Sequence, residues 1–291
     1  MGGHMAAIAP PLGEPPVSAR ADSALRRAVI DLRNFWRMSP AELLGFLLLA
    51  GVAAYAQTLT GFAFGLITMG GIALTGLLSL PDAAVLVSAL TFVNAIQMLL
   101  KGWRDVSWRD FRLVMATSVP MLFAGYAMLE WLADTRADDI LRLILGIIIV
   151  VSSLQLALRP EPLRQKSGPA SFLFFGSIAG LMGGMFSTAG PPLVYHFYRQ
   201  PMSLVRVRET LVTIFALNAV FRISLVGFSG NLPTGSAWTG LLAIPVVMAA
   251  THTARRWPPP VSPATMRRIV FILLFLSGVS LGAPSIVNLL K

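Results

Sequence analysis

From residue 43 onward the sequence is a succession of apolar stretches, separated by short charged or proline-containing breaks. A spanning helix needs about 20 apolar residues, whereas a transmembrane β-strand is shorter and alternates in polarity. The stretches here are of helical span length and do not alternate, so the pattern predicts an all-α membrane protein. Composition agrees. Residues of the AVILMFWYC set make up 55% of the 291-residue chain and charged residues only 12%, against roughly 25% charged residues in soluble domains. The net charge of +10 would suggest nucleic acid as the partner of a soluble protein. Here Lys and Arg sit in the short connections, as cytoplasmic loops require, and no nucleic-acid partner is expected. Cysteine is absent, which removes disulfides and thiolate metal sites. No metal site, cofactor motif or nucleophile–base set is visible, so the chain does not read as an enzyme.

The chain also repeats itself. Residues 1–40 read as a tag remnant, a disordered Pro-rich segment and a short basic amphipathic helix at 23–38, suited to anionic headgroups. Residues 41–160 read as a first transmembrane repeat, 161–169 as a cytoplasmic linker and 170–291 as a second repeat. The first repeat holds hydrophobic segments at 43–80, 81–100, 111–131 and 140–158; the second holds them at 171–198, 204–228, 237–251 and 265–281. At a shift of 125, Pro120 falls on Pro245, Arg142 on Arg267 and Ser152 on Ser277, with Asn94 one residue out from Asn218.

Loop charges set the orientation. Lys101, Arg104, Arg109 and Arg112 place the loop after the second segment inside, while its partner at 230–236 is uncharged. The acidic loop at 130–139 belongs outside, and its partner carries Arg255, Arg256, Arg267 and Arg268. Equivalent loops therefore fall on opposite sides. The prediction is two inverted-topology repeats of about four to five hydrophobic segments each, with a broken or re-entrant helix at the start of each. Charge puts both ends of 171–198 inside, so that segment either re-enters or crosses twice. Symmetry starts 43–80 outside, the basic N-terminal stretch argues for inside, and anything from eight to ten spans fits.

Both first segments break at the same place, Gln57-Thr58-Leu59-Thr60-Gly61 and Ser187-Thr188-Ala189-Gly190-Pro191-Pro192. Backbone interrupted in hydrocarbon is tolerated only where protein or a watered cavity supplies partners. Hydroxyls cap the new helix start, and its free amides and dipole favour an anion. Glycine there also serves close helix packing. Candidate substrate-binding residues are Thr60, Gly61, Ser187, Thr188 and Gly190 at the breaks, with Asn94, Gln97, Asn218 and Arg222 on the following helices. Arg222 lies mid-segment, where an uncompensated Arg costs about 2.5–3.5 kcal/mol; its repeat equivalent is Gln97. Asn218 and Arg222, four apart, share a helix face, as do Thr91, Asn94 and Gln97. His196 is a proton-coupling candidate or an interfacial anchor, and Glu209 reads as a surface partner of Arg206 and Arg208.

Gly61-Phe62-Ala63-Phe64-Gly65, Pro81-Asp82-Ala83-Ala84, Asn94, Val106-Ser107-Trp108-Arg109, the Gly180 to Gly184 run and Gly190-Pro191-Pro192 resemble the TauE/SafE sulfite exporter family, also called the TSUP (4-toluene sulfonate uptake permease) group. The resemblance covers about residues 43–282. It implies a secondary transporter of a small sulfur-containing anion, sulfite or an organosulfonate, in the bacterial inner membrane. The partners it implies are that anion, membrane lipids and a coupling proton or sodium ion, with no cofactor. The run Phe186 to Gly190 and Arg222 depart from the family pattern. Transport of another anion such as a carboxylate, or an anion channel, are the competing readings.

Overall fold

The structure, a computed structural model, describes residues 38–135, 137–157, 163–188, 191–233, 236–257 and 263–289. The predicted tag remnant, Pro-rich segment and nearly all of the amphipathic helix at 23–38 lie outside the described residues, as does Gly190. The described elements are helical: α1 Pro40–Thr60, α2 Phe64–Thr75, α3 Leu80–Gly102, α4 Trp108–Asp134, α5 Asp138–Ala157, α6 Pro169–Phe186, α7 Pro191–Tyr198, α8 Leu204–Ser229, α9 Ser236–Thr239, α10 Ile244–Arg256 and α11 Pro263–Leu289. Among the described residues six helices are long and apolar enough to cross a membrane by length and composition: α1, α3, α4, α6, α8 and the stretch Ala237–Arg256.

Helix starts follow local chemistry. Ser39 caps α1 in a capping box with Glu42, and Pro40 opens it. Ser79 caps α3 through the Asp82 amide, with Pro81 in the first turn. Such caps satisfy amides that have no intrahelical acceptor. The predicted segment 237–251 is divided instead, into α9, a 3-10 turn Gly240–Ala243 and α10. Pro245 sits in the first turn of α10, where its missing N–H costs least. Its counterpart Pro120 lies inside the continuous α4.

The two broken segments resolve as hairpins. Helices α2 and α7 have 12 and 8 residues, too short for the roughly 30 Å of a bilayer core. Each doubles back on its long partner. Gly71 of α2 packs on Leu49 of α1. His196 of α7 stacks on Phe175 of α6, with ring centroids 4.4 Å apart. Each hairpin therefore returns toward the end it came from.

The loops gather at two ends. At one, Lys166 pairs with Asp110 at 2.8 Å and Arg255 donates to the carbonyls of Gln97 and Met98; Lys101, Arg104, Arg206 and Arg208 lie on the same connections. At the other, Asn231 donates to Glu130 and Asn288 to Asp139. One end is basic and the other acidic, with exposed Trp103, Trp108 and Trp257 at the first and Trp131 and Trp238 at the second. Tryptophan at both rims suits membrane–water interfaces.

Glycine sets the closest packing. A Cβ on Gly180 or Gly184 of α6 would collide with the carbonyl oxygens of Ser118 or Leu122 on α4. Contact this close adds dispersion and lets Thr117 of α4 donate across the interface to the Leu173 carbonyl at 2.7 Å. Gly184→Ala is expected to destabilise the purified protein by about 1–3 kcal/mol, read as a lower thermal midpoint in detergent. Gly227→Ala, where nothing lies within 4 Å, should leave the midpoint unchanged or raise it.

Candidate functional site

Both hairpins turn through left-handed backbone. Gly61 (φ 79°) ends α1, Ala63 (φ 91°) precedes α2, and Ser187 (φ 54°) ends α6. For a non-glycine residue this conformation costs about 1–2 kcal/mol, and it persists where the surroundings over-determine it. Thr60 secures the first turn, its hydroxyl lying 2.7 Å from the Ala56 carbonyl and 2.8 Å from that of Phe62. The Tyr198 hydroxyl at the end of α7 donates to the Thr60 carbonyl at 2.6 Å.

The two turns meet. A Cβ on Gly65, in the first turn of α2, would stand 2.9 Å from the Ser187 carbonyl oxygen and 3.2 Å from Thr188 Cβ. Ser187 Oγ lies 2.7 Å from Ser88 Oγ on α3. Between the turns is a small cavity, walled by Gln57, Ala63, Gly65, Thr91, Ser187 and Thr188, with Phe62 and Phe215 as apolar sides.

An amide network braces this wall from behind. Gln57 Oε1 accepts from the Phe64 amide at 3.1 Å, and Gln57 Nε2 donates to Asn94 Oδ1 at 2.9 Å. Asn94 Nδ2 donates to Thr251 Oγ1 at 2.7 Å, tying the α1–α2 turn to α3 and α10. Other donors remain for a ligand. The Thr91 hydroxyl is buried at the wall with no hydrogen-bond partner among the described residues. Gly65 and Leu66 line the cavity, and their amides precede the first intrahelical hydrogen bonds of α2. Across the cavity α7 opens with Pro191 and Pro192, which lack N–H groups; the Ser88 hydroxyl donates to the Ala84 carbonyl, so Ser187 donates to Ser88, and the Thr188 hydroxyl is the side-chain donor left on that side.

A second, smaller void shares Ser187 and Phe215 with the first and is also lined by Gly183, Asn218 and Ala219. Asn218 exchanges hydrogen bonds with Ser118 Oγ at 3.1 and 3.2 Å. One turn further along α8, Arg222 is 1% exposed, and none of its three guanidinium nitrogens has a hydrogen-bond partner among the described residues. The guanidinium lies 5.6 Å from the Tyr126 ring centroid, and Glu130 on α4 acts on it electrostatically.

The sequence-derived candidates divide into groups. Ser187 and Thr188 line the cavity, Asn218 lines the adjoining void, and Thr60 and Gly61 shape the first turn. Asn94 belongs to the bracing network, and Gln97 donates to the Met248 carbonyl, joining α3 to α10. His196 packs against Phe172 and Phe175. Glu209 does pair with Arg208, but it is buried, at 1% exposure, not on the surface. Gln57, Gly65 and Ser88 were missed as site residues. A lone Gln one turn before a helix break in apolar sequence was the available signal for Gln57.

Comparison with known proteins gives the following. The family described as "Sulfite exporter TauE/SafE" matches residues 46–281. A protein of Cupriavidus necator described as "Probable sulfite/organosulfonate exporter TauE" is 38% identical over 244 residues, covering 84% of this chain and 95% of that protein. A Comamonas testosteroni protein described as "Probable inner membrane transporter protein TsaS" is 30% identical over 111 residues, covering 36% of this chain and 44% of that protein. No solved structure matches the chain significantly.

Asn94→Leu would strand Gln57 Nε2 in the protein interior, while the Thr251 hydroxyl keeps its bond to the Val247 carbonyl. The expected loss is about 1–3 kcal/mol for each buried group left unpaired, read as a lower thermal midpoint. Ala63→Gly should hold or raise that midpoint, because glycine adopts the positive φ without strain.

Proposed function

This chain belongs to the TauE/SafE sulfite exporter family, and on that premise we propose that it moves sulfite or an organosulfonate across the inner membrane by alternating access, at the cavity where the two helix breaks meet. The observation that carries this reading is the convergence of unpaired donors on one buried space. The Thr91 hydroxyl, the first-turn amides of α2 and the Thr188 hydroxyl surround it without a carboxylate among its walls. A sulfonate presents oxygen acceptors and negative charge, which suits free amides and the positive end of a helix dipole. From there the anion passes Asn218 and its void to Arg222, whose planar fork matches two oxygens at once.

Inverted topology belongs to the same proposal. Three things support it. The loop after α3 lies at the basic end, and its repeat counterpart after α8 lies at the acidic end. The main helix contacts exchange when the halves are exchanged: α4 on α6 corresponds to α10 on α1, while α3 on α8 and α5 on α11 map onto themselves. Gly61 and Ser187, which end the long arms of the two hairpins in left-handed backbone, occupy equivalent places. The hairpins then thread the bilayer from opposite sides and touch at their turns. Positive-inside loops put the basic end in the cytoplasm, so α1 begins outside. Alternating access consists of rocking one hairpin against the other around this fixed site.

Flux of radiolabelled sulfite, sulfoacetate and a simple carboxylate into proteoliposomes tests the reading. Saturable uptake of a sulfur-containing anion, with the carboxylate poorer, is the expected result. Non-saturating flux would indicate a channel, and a preferred carboxylate would change the substrate class. Thr91→Val should weaken binding by about 2–10-fold, the worth of one hydrogen bond, without lowering thermal stability. Arg222→Ala should cost about 10–100-fold, as for a hydrogen bond to a charged group; wild-type affinity in that variant would remove Arg222 from the path.

A further inference from the structure

The basic end contains a carboxylate that neither the cavity nor helix packing accounts for. Glu209 lies in the second turn of α8 and is 1% exposed. Its Oε1 accepts two N–H groups of the neighbouring Arg208, from Nε at 3.1 Å and Nη2 at 2.8 Å. Its Oε2 is buried without a hydrogen-bond partner among the described residues. Oε2 points at α3, where a Cβ on Gly102 would collide with it. A buried carboxylate oxygen left without a donor is a costly feature for a fold to keep.

Arg208 links this group to the substrate site. Its stem lies against the first helix break, where a Cβ on Gly61 would stand 2.7 Å from Arg208 Cγ and 3.0 Å from Arg208 Cα. Its head is held on Glu209. The next residues past Gly61, namely Phe62, Ala63 and Gly65, wall the cavity. Arg208 is also 32% exposed, which gives cytoplasmic water a route to the pair.

We infer that Glu209 is the group that carries a coupling proton, with Arg208 as the positioning residue that relays its charge state to the Gly61 turn. The proton arrives from cytoplasmic water and bonds to Oε2, converting the carboxylate to a neutral acid. Arg208 keeps its charge throughout. Protonation weakens the charge-assisted fork on Oε1 and frees the arginine stem to leave the turn, so the hairpin moves with the proton. The other charged groups at this end on elements packed against α8 are Lys101 at the end of α3, Arg104 and Asp105 in the turn after it, Arg109, Asp110 and Arg112 on α4, and Arg199 just after α7. Asp110 is already held by Lys166 and Ser107. On α7 the candidate carrier is His196, which faces the Phe172 and Phe175 rings.

This inference rests on the transport reading, and the experiment separates the two. Proteoliposomes are assayed for radiolabelled sulfoacetate and sulfite by counterflow, which needs no driving force, and by uptake under an imposed proton gradient. Wild type should show both, with the gradient raising uptake several-fold. Glu209→Gln should keep counterflow but lose the response to the gradient. Glu209→Asp should keep the response with a displaced pH midpoint, and His196→Gln should keep it unchanged. Counterflow in wild type without any gradient response overturns the inference, as does a normal response in Glu209→Gln. If Glu209→Gln loses counterflow too, or does not fold, an unmoved pH midpoint in Glu209→Asp overturns the inference and a displaced one supports it. A response lost only in His196→Gln moves the proton to the aromatic nest. Wild type without counterflow sinks the transport reading instead.

Discussion

Backbone that leaves the helix inside a membrane protein must find its partners in other protein, and in this chain the two breaks also pack directly on each other. Gly65 touches Ser187 and Thr188, and Ser187 reaches Ser88 behind it. Neither turn is complete alone. The Phe64 amide depends on Gln57, Gln57 on Asn94, and Asn94 bonds Thr251 of α10, so the first turn is fixed by helices from both halves. Unsatisfied amides in hydrocarbon cost several kcal/mol each. That penalty excludes looser arrangements and holds the donor-lined space open between the turns.

The long helices then serve as a frame. α4 and α6 approach to backbone contact through Gly180 and Gly184, and α5 packs on α11 through Gly146, Gly278 and Gly282. Arg142 of α5 donates to the Ala73 carbonyl near the end of α2, fixing the returning arm of the first hairpin. Polar side chains elsewhere in the frame mostly bond their own helix, as Ser88 does with the Ala84 carbonyl and Thr213 with that of Glu209. Against that background buried unpaired groups stand out among the described residues: the Thr91 hydroxyl, the Arg222 guanidinium and Glu209 Oε2, together with Thr68, Gln97 Oε1 and His196 Nε2. The first three lie in the cavity wall, one turn beyond the adjoining void, and behind the first turn.

Much of this was legible in the sequence. Span length and the absence of alternation identified the helical membrane class, and loop charge identified which connections share an end. Gly61 and Ser187 marked the breaks because glycine and small polar residues concentrate where helical backbone stops. Facing was not legible. Helix α8 is apolar around most of its circumference, so no periodic stripe distinguished the lipid side from the interior, and Glu209 passed for a surface residue beside Arg206 and Arg208. Gln97 was placed in the site as the counterpart of Arg222, yet the two differ in surroundings: Gln97 meets the Met248 carbonyl of α10, and Arg222 meets the Tyr126 ring of α4. The Gln57–Asn94–Thr251 chain joins residues far apart in sequence, and no local pattern encodes such pairings.

The central claim is that the space between the two turns is a hydrated anion site. The chain has no cysteine, so a single Ser187→Cys substitution reports on that space without background. The rate at which a small, negatively charged methanethiosulfonate reagent modifies the introduced thiol should be appreciable in the reconstituted protein and should fall when an organosulfonate is added. A thiol that stays unmodified while the protein is folded, or reacts at a rate no sulfonate alters, would contradict the account.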